Sequence, residues 1–307
     1  MDKNSVDWHG PWVALVTPFD AEGRIDEAAY RRNVELCIGY GCTGLLANGC
    51  TGEFWAQSMD ERKAVMRLCA EAAGGRATVI GGAGAITPSE VIELVDAAKE
   101  SGCDGAMVLP SYFVHPGPDD IITFYETVSD ATDLPILLYN IPSAANRLTP
   151  EMVDRLADVK NVVAIKESSR DFNNFYETLA LAGDRIRVLI GPGGLFGVAA
   201  LTVGAVGYVE GIQNYWGKEG NDIYYSTMEG DMERALTLQK KGLLLRQLID
   251  GSGRNIYAAF KAAMNVRGLP GGYPRPPLQP LGEPHLSELR QGFQAFGLSV
   301  AERAAAE

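Results

Sequence analysis

Residues 162–167 read Val162-Val163-Ala164-Ile165-Lys166-Glu167, four apolar residues closed by a lysine and a glutamate. The apolar residues do not alternate with polar ones, so the run reads as a strand covered on both faces, the habit of a parallel sheet wrapped by helices. Seven further runs of this kind recur, at 12–16, 44–48, 78–82, 105–110, 135–140, 187–192 and 204–210. Each leads into a polar or Gly-containing turn and then a segment of helical period. Between the first two runs Tyr30, Val34, Cys37 and Ile38 share one helix face. Ser58 with Glu61 and Thr87 with Glu90 have capping-box spacing, and Pro88 and Pro150 each follow a capping threonine. Eight strand–helix alternations predict an α/β fold of the (β/α)8 TIM-barrel type. Periodicity alone leaves a doubly wound open sheet as the alternative.

After Gly211 no strand-like run appears. Residues 231–250 and 256–267 read as helices, the second stopped by Gly268-Leu269-Pro270, and a last helix is expected over 287–303. The expected organisation is a barrel over 1–230 and a C-terminal three-helix appendage over 231–307.

A chain of 307 residues with 46% hydrophobic and 21% charged residues has the composition of a globular protein able to bury a large core. The net charge of −12, with no basic stretch, argues against nucleic acid and anionic membrane as partners. Residues 1–10 lack the apolar core of a secretory signal, and no run of eighteen apolar residues occurs, so a cytoplasmic location is expected. Cys37, Cys42, Cys50, Cys69 and Cys103 form no Cys-x-x-Cys pair and read as reduced thiols. His9, His115 and His285 have no ligand spacing, so no metal is expected. The Gly-rich stretches 81–84 and 191–197 lack the dinucleotide fingerprint, so no nucleotide cofactor is expected either.

In such a barrel the chemistry sits at the C-terminal ends of the strands, which directs attention to the polar residues there. Lys166 alone among the lysines terminates an apolar run. Desolvation there would favour the neutral amine that attacks a carbonyl. The competing reading is a structural ion pair with Glu167 or another carboxylate. Tyr139, in Leu137-Leu138-Tyr139-Asn140-Ile141-Pro142, offers a phenol that could move protons, or could be a buried tyrosine with its hydroxyl satisfied. The turn Asn48-Gly49-Cys50-Thr51-Gly52-Glu53 could cradle a carboxylate on its backbone amides, or be a plain glycine-rich connection.

Taken together and in this order, Gly-Cys-Thr-Gly-Glu, Tyr-Asn-Ile-Pro and Ile-Lys-Glu resemble the dihydrodipicolinate synthase and N-acetylneuraminate lyase family of class I aldolases. The resemblance runs from Val16-Thr17-Pro18-Phe19 through Gly204-Ala205-Val206-Gly207 to the tail. It implies that Lys166 forms a Schiff base with a small 2-oxo acid and that Tyr139 shuttles protons. It further implies that the amides of Cys50 and Thr51 hold the substrate carboxylate and that Tyr112 enters a partner subunit's site. Gly191 and Val209 would be wall positions near the substrate, and the family is usually a dimer of dimers. The lysine reading requires its amine inside the ring of strands, within bonding distance of the Tyr139 phenol oxygen.

Departures from the pattern narrow the chemistry. Ala144 stands where the synthase branch has an arginine for a second carboxylate, with Arg147 close but offset. Cys50 replaces a hydroxyl residue of the proton relay through Thr51, Tyr139 and Tyr112. Gly191-Pro192-Gly193-Gly194 lacks the acidic residues that read a polyol tail. The expected activity is a Schiff-base lyase that cleaves, condenses or dehydrates a 2-oxo-3-deoxy sugar acid. The alternatives are deamination of a cyclic imine acid, dihydrodipicolinate synthesis itself, and a non-catalytic sugar-acid-binding barrel. The outer pocket is expected from 109–113, 144–147 and 209–213, with Glu210 as acid, base or amine reader, or else as a structural partner of a nearby backbone amide or arginine.

Overall fold

In the computed structural model, which describes residues 1–301, eight parallel strands close on themselves in sequence order. They are β1 Gly10–Ala14, β2 Gly44–Ala47, β3 Thr78–Gly82, β4 Gly105–Val108, β5 Ile136–Asn140, β6 Val162–Glu167, β7 Arg187–Ile190 and β8 Gly207–Glu210. Seven helices connect them: α1 Glu27–Gly39, α2 Met59–Ala73, α3 Pro88–Glu100, α4 Pro118–Asp130, α5 Pro150–Leu156, α6 Phe172–Ala182 and α7 Gly193–Thr202. After β8 follow α8 Gln213–Trp216, α9 Lys218–Met228, α10 Met232–Asp250, α11 Ile256–Val266 and α12 Glu283–Ala295. The open-sheet alternative is thereby excluded, since β1 pairs with β8 from Gly10↔Gly207 to Val13↔Glu210. Among the described residues no helix is long and apolar enough to cross a membrane.

The uniformly apolar strands divide into two faces once closed. Trp12, Ala14, Leu46, Ile80, Met107, Leu137, Leu189 and Val209 pack into the barrel interior, while Val13, Leu45, Val79, Ala106, Leu138, Ile165 and Val188 meet the helices. Trp8 and Trp12, 5.7 Å apart edge to face, plug the floor. Gly44 is required there, because a Cβ would lie 2.4 Å from the Trp12 ring.

The helix starts carry the expected devices, with capping boxes at Ser58/Glu61 and Thr87/Glu90 and Thr149 capping α5 ahead of Pro150. The last helix differs from expectation. It begins at Glu283, behind the Gly282 cap and with Pro284 in the first turn, and ends before Gly297, whose φ of +72° is left-handed. The end of the helix expected over 287–303 lies partly outside the described residues.

Candidate active site

Strand pairing places two of the singled-out residues side by side. Tyr139 on β5 is in register with Lys166 on β6, and both project inward beyond Leu137 and Ala164. Their neighbours Asn140 and Glu167 point the other way, because successive strand residues face opposite sides. Glu167 accepts hydrogen bonds from Asn140 Nδ2 at 2.6 Å, Asn174 Nδ2 at 2.9 Å and the Ser169 amide at 2.7 Å. The ion-pair reading of Lys166 with Glu167 therefore fails on strand geometry.

Lys166 is buried, with 5% of its surface exposed, and has no hydrogen bond or ion pair among the described residues. Desolvation lowers its pKa from 10.5 to about 8, against the opposing pull of Cys50 and Glu210. Its Nζ lies 4.1 Å from the centroid of the Tyr139 ring. The amine thus sits over the face of the ring, while the phenol, raised well above its usual value by burial, adjoins the Cys50 thiol. The expected bond from amine to phenol oxygen is replaced by this cation–π contact.

The turn after β2 forms a short 3-10 segment, Cys50–Gly52. The amides of Gly52 and Glu53 bond back to the carbonyls of Gly49 and Cys50, both at 3.0 Å, leaving those of Cys50 and Thr51 without an acceptor inside the turn. Asn48 and Glu53 flank it in left-handed conformations, each with φ near +54°. Glu53 is held by Lys261 at 2.5 Å and by the Arg275 amide at 3.1 Å, so the turn is anchored from the tail.

A cavity of about 130 Å³ opens at the C-terminal mouth of the barrel, lined by Cys50, Thr51, Tyr139, Lys166, Gly191, Val209 and Glu210 from the predicted set. Ser143, Ser168, Arg170, Arg246, Tyr257 and Phe260 are among the other residues of the wall. Glu210 is buried, accepting from the amides of Gly194 at 3.2 Å and Gly211 at 2.9 Å and pairing with Arg246 at 3.4 Å. Gly191 leaves room beside Ser168, whose Oγ would lie 2.4 Å from an added Cβ.

Two predicted residues stand outside the cavity. Arg147 is engaged elsewhere, donating to Asp171 at 2.6 Å and Asn174 at 3.0 Å, which holds the Asp171 carboxyl below its ordinary range. Tyr112, expected in a partner subunit's site rather than in this cavity, packs edge to face on Phe54 of its own chain, ring centroids 6.4 Å apart. The segments 109–113 and 144–147, expected to line the outer pocket, contribute nothing to this wall, whereas Ile141 and Ser143 do.

Among the lining residues missed from sequence, two further groups carry polar or aromatic side chains. Ser168 and Arg170 lie two and four residues after Lys166, where strand-end position alone would have drawn attention to them. Arg246, Tyr257 and Phe260 come from α10 and α11, and no local pattern says that the tail folds back over the mouth. Tyr257 packs against Trp55 with ring centroids 4.7 Å apart and planes tilted by 58°, and its phenol, raised by burial, also adjoins Cys50.

The chain matches the model of the Dihydrodipicolinate synthetase family over residues 7–296. It is 34% identical over 291 residues to a 4-hydroxy-tetrahydrodipicolinate synthase of Alkalilimnicola ehrlichii, covering 94% of this chain and 99% of the relative. It is 32% identical to an uncharacterized DapA-like lyase of Rhizobium meliloti, covering 93% and 95% of the two. Among solved structures, the prophage protein YagE of E. coli, crystallised in complex with pyruvate, superposes with a TM-score of 0.91 at 26% identity over 96% of this chain and 100% of that one. The dihydrodipicolinate synthase of Thermotoga maritima gives 0.89 at 29% identity over 95% and 99%. The chain belongs to the dihydrodipicolinate synthetase family and is an enzyme, a lyase of the aldolase type.

Proposed function

We propose that the chain binds pyruvate or a related 2-oxo acid as a Schiff base on Lys166 and makes a carbon–carbon bond to a second carbonyl compound. The observation that carries this is a buried, unpaired lysine with pKa near 8 at the floor of a small cavity, beside a tyrosine. Neutral Nζ adds to the C2 carbonyl, and loss of water leaves an iminium ion. The Tyr139 phenol supplies the proton with which that water departs, and the resulting phenolate takes the C3 proton as the iminium draws in the C3–H electrons, giving an enamine. The enamine carbon attacks the second carbonyl, the new alkoxide takes a proton, and water then releases product and free amine. The same steps reversed cleave the bond. The Cys50 and Thr51 amides hold the carboxylate of the 2-oxo acid.

The names of the relatives support the synthase direction, which produces 4-hydroxy-tetrahydrodipicolinate, over the sugar-acid reading. A second reading, cleavage or dehydration of a 2-oxo-3-deoxy sugar acid, is favoured by Ala144 in place of an arginine and by Cys50 in place of a hydroxyl residue. Assaying the purified protein with pyruvate plus aspartate semialdehyde, and separately with 2-oxo-3-deoxy sugar acids, decides between them. Consumption of pyruvate only with the semialdehyde supports synthesis. Release of pyruvate from the sugar acids at a higher kcat/KM replaces it. A homo-oligomer, a dimer of dimers, belongs to the same reading.

A further inference from the structure

Arg170 is the one residue of the β6–α6 turn whose backbone works against its side chain. Its φ is +62°, in the left-handed region that glycine occupies freely and an arginine does not. Such a conformation persists where something outside the backbone selects the residue. Among the described residues no bond holds it: Arg170 is exposed and makes no hydrogen bond or ion pair, and its charge is felt only electrostatically by the Tyr257 phenol of the same cavity wall. The neighbouring cations are spoken for: Arg147 by Asp171 and Asn174, Arg246 by Glu210 and Asp250. Arg170 nevertheless lines the same cavity as Lys166.

Barrel order supplies the direction. In a closed ring of eight, β2 and β6 lie diametrically opposite. The turn Cys50–Gly52 after β2 and Arg170 after β6 therefore lie on opposite sides of the mouth, and Lys166, near the end of β6, lines the same cavity as both. We infer that Arg170 recognises a second anionic group, a carboxylate at the end of the substrate remote from the imine carbon, and so sets the preference of the site for dianionic over monoanionic compounds. This rests on the Schiff-base reading, which fixes where the first carboxylate lies. An arginine fork suits a carboxylate in two-point contact, and charge-assisted bonds of this kind carry more selectivity than neutral ones. The inference also gives Ala144 a consequence: the cation for a distal carboxylate has moved from the β5 loop to the β6 loop.

The test uses matched pairs that differ only in the distal group, 2-oxoglutarate against 2-oxopentanoate and, one carbon longer, 2-oxoadipate against 2-oxohexanoate. Binding is measured by titration calorimetry on the intact protein and on Arg170→Gly and Arg170→Gln. The wild type is expected to prefer the dicarboxylate of at least one pair by about tenfold or more, and both variants to lose that preference. Arg170→Gly is also expected to melt no lower than the wild type, since glycine relieves the left-handed backbone. A preference that survives both substitutions overturns the inference, as does a wild type with no preference in either pair. Borohydride trapping of pyruvate on the wild type reads the underlying imine separately. Its failure removes the Schiff-base reading, while the calorimetric ratio still decides on Arg170.

Discussion

Lys166 and Lys261 are both buried ammonium groups with pKa lowered to about 8, and it is Lys166 that lines the cavity at the barrel mouth. Lys261 is held by Glu53 at 2.5 Å and by the Tyr273 carbonyl at 2.8 Å, so its nitrogen is committed. Among the described residues the Lys166 nitrogen has no such partner, which makes the shift useful for chemistry. At pH 7 a pKa of about 8 leaves about a tenth of the amine neutral, roughly 300-fold more than at 10.5. The rate of imine formation with pyruvate should therefore climb with pH and level off above about 8, as stopped-flow or quenched trapping would record. A limb centred near 10 would mean the lysine is not desolvated in solution. Tyr139→Phe keeps the ring under the amine and removes the proton carrier, so kcat should fall about 10²–10⁴-fold with pyruvate trapping retained. Both residues were legible in sequence because each ends an apolar strand. Arg147 was misplaced because proximity in sequence says nothing of Asp171 and Asn174, which draw it onto the start of α6.

At the scale of elements, period and caps revealed what composition could not. The eight apolar runs marked the strands to within a few residues, but which residue faced inward emerged only from closure of the ring. Tyr139 and Lys166 share the interior because β5 and β6 run in register. The 3-10 turn Cys50–Gly52 depends on a distant element, since α11 supplies Lys261 to Glu53, with exposures of 1% and 0%. Removing one partner of a buried pair strands the other charge, so Lys261→Ala should cost about 3–5 kcal/mol in denaturant unfolding. A loss below about 1 kcal/mol would mean water reaches Glu53. That coupling had no local signal, for a helix face pattern reports that a side is buried and not against what.

For the whole molecule, the tail completes the site. α10 and α11 bring Arg246, Tyr257 and Phe260 over the mouth and thereby shield the amine from water. The fold class was readable from eight alternations; the return of the tail was not, because it depends on long-range contacts such as Phe260 against Gly211. The burial that activates Lys166 also works against folding. Its folded pKa lies below the unfolded one, so between about 8 and 10.5 the unfolded chain binds more protons and wild-type stability from this group rises with pH. Lys166→Met should accordingly raise stability at pH 7 by roughly 1–3 kcal/mol while abolishing activity, and the gain should shrink as pH rises through that window. Thermal melts at pH 7 and 10 check the sign.

The central claim is tested most directly by reducing the protein with borohydride in the presence of pyruvate and mapping the modified peptide by mass spectrometry. The account predicts one stable adduct, on Lys166, absent from Lys166→Ala. An unmodified protein, or an adduct carried by Lys261 or a surface lysine instead, would contradict it.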